Sequence, residues 1–511
     1  CNDQNSAIHP GASEICGDGI DQNCDGSDLA CSYDDIPDVV PPSTSTLYFP
    51  VLRDDLIDHT YFGLLNNSES ETLEGELVAF KSNGYSFNEL SGIANFKVVL
   101  EPLGRTEIML KDILPEGVHE NVAYVRFEGK INSGLGYCRF EVEDTGQAAA
   151  YPAACALSGV SEIQLPWFAF KDGWETRIGF INTGSVRMSS EIVFNDGTIL
   201  ETPNLLSKAG HSCQNYVDID GDLEVKLRNG NRVALKDVSP VPTSATIRIF
   251  NKDLELYKDA ESFSVVGAAL YQYKTDMGAV TLESSHDSSI TYPFVLNDNE
   301  NGWETACVAY NGSLEKLVSD CPLSLKLFDE DGSSYLDPVM MFDYGVSVFT
   351  KYDLSSQITL GWCEASNKCS ISGLEFVGQD NWQQFGFLSA FKNGSRSGVF
   401  AHLGKNDDRW TGLAFLNAGA VPTKINLVAY NDRGSYLCQK PINIEPHCQA
   451  MFEVHEIIGF NNEDASSIRY TADRPVIGVL INGRYYNSEG KDLKYMDILP
   501  ALMIETTGSV Y

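Results

Sequence analysis

Four stretches of the chain share one pattern of apolar and polar positions. TYFGLLN at 60–66, TRIGFIN at 176–182, TACVAYN at 305–311 and TGLAFLN at 411–417 each run from a Thr to an Asn at the same spacing. The second and fourth positions after each Thr are apolar: Phe62 and Leu64, Ile178 and Phe180, Cys307 and Ala309, Leu413 and Phe415. That period of two predicts a strand with one buried face. An apolar-aromatic stretch precedes each copy: LYFP at 47–50, QLPWF at 164–168, ITYPF at 290–294 and SGVFAHL at 397–403. A turn signal follows: SNG at 82–84, NDG at 195–197, EDG at 330–332 and DRG at 432–434. In each, Gly supplies the positive φ that a tight turn needs. Each copy ends in a strand around a shared glycine: Gly136, Gly267, Gly373 and Gly478.

The repeat Thr positions lie roughly 105–130 residues apart, a β-sandwich length and far above that of solenoid repeats. Strands are short, turns are frequent, and a 3.6-residue period is almost absent. The chain is therefore predicted all-β, as four tandem immunoglobulin-like sandwiches at 47–160, 161–287, 288–396 and 397–511. A cap at 1–32 and a Pro- and Ser-rich extended linker at 33–46 precede them. Trp174, Trp303 and Trp410 recur beside the repeat Thr, with His59 in that place in the first copy. Recurrence predicts packing, within or between copies, over a sugar-stacking platform. The G-W-x-T-x-x-x-x-x-N runs at 173–182 and 302–311 and the closing strand at 475–483 resemble the tandem β-sandwich repeats of large secreted bacterial surface proteins. That resemblance implies fold and location, not chemistry.

Charge narrows the partners. Asp and Glu number 71 against 36 Lys and Arg, a net of −35. Such a surface repels phosphate backbones and anionic lipid, which excludes nucleic acid and favours cations. No run of about 18 apolar residues occurs, so no transmembrane helix is predicted. The 13 cysteines fall mostly in close neighbourhoods: Cys1, Cys16, Cys24 and Cys31; Cys138 and Cys155; Cys307 and Cys321; Cys363 and Cys369; Cys438 and Cys448. Local pairs in β-rich segments predict disulfides and an oxidising, extracellular compartment. Cys213 has no near neighbour.

Residues 1–31 carry the densest chemistry. Asp3, Asn5, Asp18, Asp21, Asn23, Asp25 and Asp28 set oxygen donors at short intervals, with Gly19 and Gly26 permitting sharp turns. The D-x-N-x-D-G-x-D run at 21–28 has the early ligand spacing of a calcium loop, without the Glu at loop position twelve or the flanking helices of an EF-hand. Uncompensated, these carboxylates repel one another, so a cation or disulfides must hold the segment. The segment resembles the MopE-type metal-binding repeat of bacterial surface proteins, through Cys1, Asp3, Asn5, Ile8, Pro10, Gly11, Ala12, Glu14 and Cys16. Its second half matches at Asp18, Gly19, Asp21, Asn23, Cys24, Asp25 and Gly26. The family name is linked to copper. Here His9 is the sole imidazole nearby, and hard oxygen donors suit calcium better. Cys1 also fits the lipidated first residue of a mature lipoprotein, although the resemblance places it inside the motif.

No catalytic signature is present. G-x-S-x-G, a Walker loop and H-E-x-x-H are all missing; His119-Glu120 and His455-Glu456 have no second His. The expectation is a non-enzymatic, secreted, structural or adhesive surface protein, a rod or filament subunit with a calcium-stabilised cap. Self-association is expected through an extended segment at 33–50, which would add a strand to a neighbour's sheet edge. The alternatives are a carbohydrate- or host-binding module using Trp167, Trp362 and Trp382, or a copper-binding surface protein. The acidic DIDGDLE run at 218–224 is read as a solvated turn.

Overall fold

The computed structural model describes Cys24 and residues 44–503, apart from 53–56, 58, 116, 119–120, 143–146, 156–159, 185–187, 203–212, 251–263, 275, 284–286, 299–301, 313–320, 336–338, 341, 344, 351–358, 380–383, 404–408, 455–463 and 486–492. What it describes is all-β, with several antiparallel sheets.

Copy 1 contains β1 (Ser45–Pro50), β2 (His59–Asn66), β3 (Leu73–Phe80), β4 (Phe96–Leu100), β5 (Arg105–Met109), β6 (Tyr124–Gly129), β7 (Gly134–Glu141), β8 (Ala148–Pro152) and β9 (Ala154–Cys155). Two short helices, α1 (Phe87–Ser91) and α2 (Leu110–Ile113), lie between strands. A front sheet runs β4-β3-β6-β1-β9 and a back sheet β5-β2-β7-β8. Copy 2 has β10 (Glu162–Leu165), β11 (Trp174–Asn182), β12 (Ser189–Phe194), β13 (Ile199–Glu201), β14 (Cys213–Ile219), β15 (Glu224–Lys226), β16 (Arg232–Ala234), β17 (Ala245–Phe250), β18 (Val265–Tyr273) and β19 (Asp276–Leu282). Its sheets run β10-β17-β12-β13-β15-β16 and β14-β11-β18-β19.

Copy 3 has β20 (Asp287–Asp298), β21 (Trp303–Tyr310), β22 (Leu323–Asp329), β23 (Val339–Met340), β24 (Val346–Thr350), β25 (Leu360–Gln379) and β26 (Gln384–Ser389). Copy 4 has β27 (Ser395–Phe400), β28 (Arg409–Leu416), β29 (Thr423–Tyr430), β30 (Tyr436–Ile444), β31 (Gln449–Glu453), β32 (Ser467–Tyr485), β33 (Leu493–Pro500) and β34 (Leu502–Met503). In these two copies one long strand serves both sheets. The first half of β25 pairs with β22 and β20, and its second half with β21 and β26. Likewise β32 pairs first with β27 and β29, then with β28 and β33. The strand order is thus one pattern built four times. Strands β1, β20 and β27 start one or two residues ahead of the boundaries expected from sequence.

The repeat residues have physical reasons. β2, β11, β21 and β28, the Thr-to-Asn strands, each lie second in their back sheet. The turn glycines Gly84, Gly197, Gly332 and Gly434 all have positive φ. Each donates its N–H to the residue three before it, at 2.8–3.1 Å. A methyl on any shared strand glycine would meet the facing first strand: Phe49 or Phe400 at 3.0 Å from Gly136 or Gly478, Ile163 at 2.7 Å from Gly267, Ile290 at 2.6 Å from Gly373. In copies 1 and 4 the repeat Asn is a buried staple. Asn417 Nδ2 donates to the carbonyls of Val421, Ile444 and Glu445 at 2.9, 3.2 and 3.0 Å, and Asn66 does the same with Glu71, Leu100 and Glu101.

The copies lie in one compact unit, Ser43–Ile504, and the same positions build each seam between them. The outward face of a back sheet presents the residue five after the repeat Thr and the residue before the shared Gly. In copy 2 these are Ile181 and Val266, buried against Tyr48, Phe80 and Tyr124 of copy 1. In copy 3, Tyr310 joins the cluster of copy 2, its hydroxyl 3.0 Å from Thr246 Oγ1. In copy 4, Leu416 and Ile477 meet Phe294, Phe328 and Trp362 of copy 3. In copy 1, Leu65 and Leu135 meet Val399, Ala401 and Leu502 of copy 4. This fourth seam closes the series, so the described strands do not form the expected rod. At the inner edge β8, β19, β26 and β33 pack on one another in that cyclic order.

One further expectation changes. Leu47 and Phe49, placed in the candidate donor segment 33–50, belong to β1 and are buried in the core of copy 1. They are not available to a neighbour. Val39 and Val40 of that segment lie outside the described residues.

Candidate functional site

The densest charged cluster among the described residues sits at the closing seam. β5 carries Arg105 and Glu107, and the adjoining β2–β7 ladder sets Gly63 opposite Tyr137, with Arg139 one turn of the pleat away. The missing side chain at Gly63 leaves the space that the Tyr137 ring fills. Tyr137 Oη donates to Glu107 Oε1 at 2.9 Å and accepts from Arg105 Nη2 at 2.6 Å. Arg139 Nε donates to Glu107 Oε1 at 3.3 Å, and His402 Nδ1 from copy 4 lies 3.6 Å from the same oxygen. Arg469 of copy 4 reaches back to the carbonyl of Asn66 at 2.8 Å and to Asn67 Oδ1.

Burial raises the Glu107 carboxyl, but His402, Arg139, Arg105 and the Tyr137 hydroxyl outweigh it and hold it at about 2. Burial pushes the Tyr137 hydroxyl well above its ordinary range. One group stays ionised and the other protonated near neutrality, so the pair has no proton to exchange there. The cluster is a clamp. Other buried acids behave oppositely. Burial raises Asp276, which accepts from Gln147 of copy 1, to about 7, and raises Glu283 to about 7.

The cysteines are joined differently from the neighbour pairs expected. Cys321 and Cys369 form a disulfide, with Cα atoms 5.9 Å apart. Cys363 and Cys369 lie on the one strand β25; six positions of extended chain put them about 20 Å apart. Cys307 and Cys363 point into the copy 3 core as thiols. Cys438 is a thiol on β30, and about 20 Å of strand separates it from the turn that carries Cys448. Cys138 and Cys155 are also thiols, pushed up by burial to about 12 and about 11.

The tryptophans pack. Trp174 lies against Phe385 and Phe387 of copy 3, and half-buried Trp167 against Phe376. Trp362 is 1% exposed and stacks on Phe328 within a seam. These contacts leave Trp362 unable to serve as a sugar platform; Trp382 lies outside the described residues. The acidic run is a turn in which Asp220 Oδ1 accepts the N–H groups of Asp222 and Leu223.

Of the cap, Cys24 alone is described. It has φ 63° and is disulfide-bonded. The expected ligands Asp3, Asn5, Asp18, Asp21, Asn23, Asp25 and Asp28, and the cysteines Cys1, Cys16 and Cys31, lie outside the described residues. Among the described residues no group of three or more His, Cys, Asp or Glu could hold a metal ion. The remaining signal is the sequence itself, which matches the family model of the MopE copper-binding type, described as a "putative metal-binding motif", over residues 1–28. Residues 1–28 are a MopE-type motif. No curated protein matches the chain. Among solved structures, Thermotoga maritima 1070 is 16% identical with a TM-score of 0.19, over 22% of this chain and 98% of its own. A tetra-tandem repeat in the extending region of a large adhesion protein is 8% identical with a TM-score of 0.11, over 91% of this chain and 100% of its own. At those scores neither likeness bears on fold or function. No described helix is long and apolar enough to cross a membrane.

Proposed function

We propose that this chain is a non-catalytic, secreted structural or adhesive protein of a bacterial surface, and that its MopE-type motif holds calcium. The carrying observation is the union of that motif with a body that repeats one sheet pair four times, each copy read as an immunoglobulin-like sandwich. Repetition multiplies contact surface and length; it does not assemble a unique catalytic constellation. The closing-seam clamp, whose charged groups bond to one another, fits a structural role. The Cys321–Cys369 bond and the disulfide-bonded Cys24 support an oxidising compartment.

Calcium rests on donor chemistry. The motif offers the carboxylates of Asp3, Asp18, Asp21, Asp25 and Asp28 and the amides of Asn5 and Asn23, with His9 the one imidazole. Hard oxygens suit a hard cation. Titration calorimetry of the full chain with calcium and with copper tests this. Saturable calcium heat that is lost in Asp21→Asn/Asp25→Asn is the expected result. Tight copper binding without calcium heat would reverse the assignment.

A further inference from the structure

We propose that the seam between copies 4 and 1 also forms between chains, so that the partner of each of its faces is a second copy of this chain. The four seams share one geometry: the outward back-sheet face of one copy lies on the outward front-sheet face of the copy before it. Such a contact is heterologous, since two different surfaces meet, and it either closes a cycle or propagates head to tail. In three seams chain connectivity holds the two faces together. In the fourth, between copies 4 and 1, no chain connection runs.

The fourth seam is also chemically apart. Its apolar part is mainly aliphatic, Leu65 and Leu135 against Val399, Ala401 and Leu502 beside the Tyr137 ring, where the third seam has Phe294, Phe328 and Trp362. It buries the guanidiniums of Arg105 and Arg469, each 8% exposed, with both Nε atoms lacking a hydrogen-bond partner among the described residues. A buried donor left unmade is costly, so opening this seam regains for those groups the hydrogen bonds that water supplies. Once open, one chain presents the copy 1 face and the copy 4 face at once. A second chain carries the complement of each. The inference rests on the structural reading above, and supplies the contact by which such a protein would extend.

Mixing two variants of the full chain tests it. Leu135→Glu spoils the copy 1 face and Arg469→Glu the copy 4 face. Neither variant can close on itself or propagate, but each keeps the face the other needs. At physiological salt, which screens the repulsion between two strongly acidic chains, mass photometry should find each variant as single chains and their mixture as two-chain species. Folding is checked by near-ultraviolet circular dichroism and a cooperative melt. If either variant unfolds, the milder pair Leu135→Ala and Arg469→Gln takes its place. Folded variants that stay single on mixing, or a lone variant that pairs with itself, would overturn the proposal. Neither outcome touches the calcium titration, so the two readings fail separately.

Discussion

Arg105 and Asp432, 327 residues apart in sequence, are joined twice: the Arg105 N–H donates to the Asp432 carbonyl at 2.9 Å, and Arg105 Nη1 lies 3.1 Å from Asp432 Oδ1. The backbone half of this junction recurs at the third seam, where the Gln449 N–H donates to the Glu330 carbonyl at 3.0 Å. In both, the turn of one copy abuts the first residue of β5 or β31 in the next. The turn glycine permits it. A methyl on Gly434 would fall on Pro102 O and Gly104 N, and one on Gly332 on Pro446 O.

Gly434→Ala is therefore expected to destabilise by about 3 kcal/mol, from the left-handed φ and the backbone clash together. Gly92, also at positive φ but with open space around it, should lose only about 1 kcal/mol as Ala. Urea denaturation of the two variants checks the difference. Equal losses would mean that the turn does not press on its neighbour.

Asn417→Ala removes the staple that ties three carbonyls together. Buried carbonyls left without donors are expected to lower stability by about 3 kcal/mol. An unchanged urea midpoint would show that those groups find water instead.

Reducing the Cys321–Cys369 bond, which closes a separation of 48 residues, should destabilise by about 4 kcal/mol on the loop-entropy account. Cys307→Ala and Cys363→Ala, which remove thiols, should respond to reductant as the unmodified chain does. Thermal melts with and without dithiothreitol give the comparison.

The buried acids set opposing pH trends. Asp276 and Glu283 hold their protons up to about 7 in the fold but release them near 4 when unfolded. The folded state binds more protons between those values, so their effect is a loss of stability as pH rises from about 4 to about 7. Glu107, held at about 2, acts the other way. Its contribution is present above about 4.5 and is lost as pH falls toward 2. Stability should peak near pH 4, where the two trends cross, and Asp276→Asn with Glu283→Gln should flatten the fall toward neutrality. Urea midpoints across pH 3–8 test both slopes.

Much of this architecture is legible in the chain. The Thr-to-Asn strands, the four turn glycines and the shared strand glycines stand where a period-two pattern and turn chemistry put them. Closure is harder to read, because Leu65, Ile181, Tyr310 and Leu416 lie on the face that a one-sided strand would leave polar. Their apolar character marks a second covered face, and period-two reading alone assigns just one. The clamp has no local signature either, since Glu107, Tyr137, Arg139 and His402 come together by sheet register and by the closing seam. Disulfide partners follow strand direction and not sequence nearness, as Cys363 and Cys369 show. The metal-binding motif is the reverse case, carried entirely by local spacing.

The claim that the four copies close on themselves is tested most directly by small-angle X-ray scattering of the dilute full chain. The four closed copies, Ser43–Ile504, should by themselves have a radius of gyration of about 23 Å. Four sandwiches set end to end would give about 40 Å, and that value would contradict the closed arrangement.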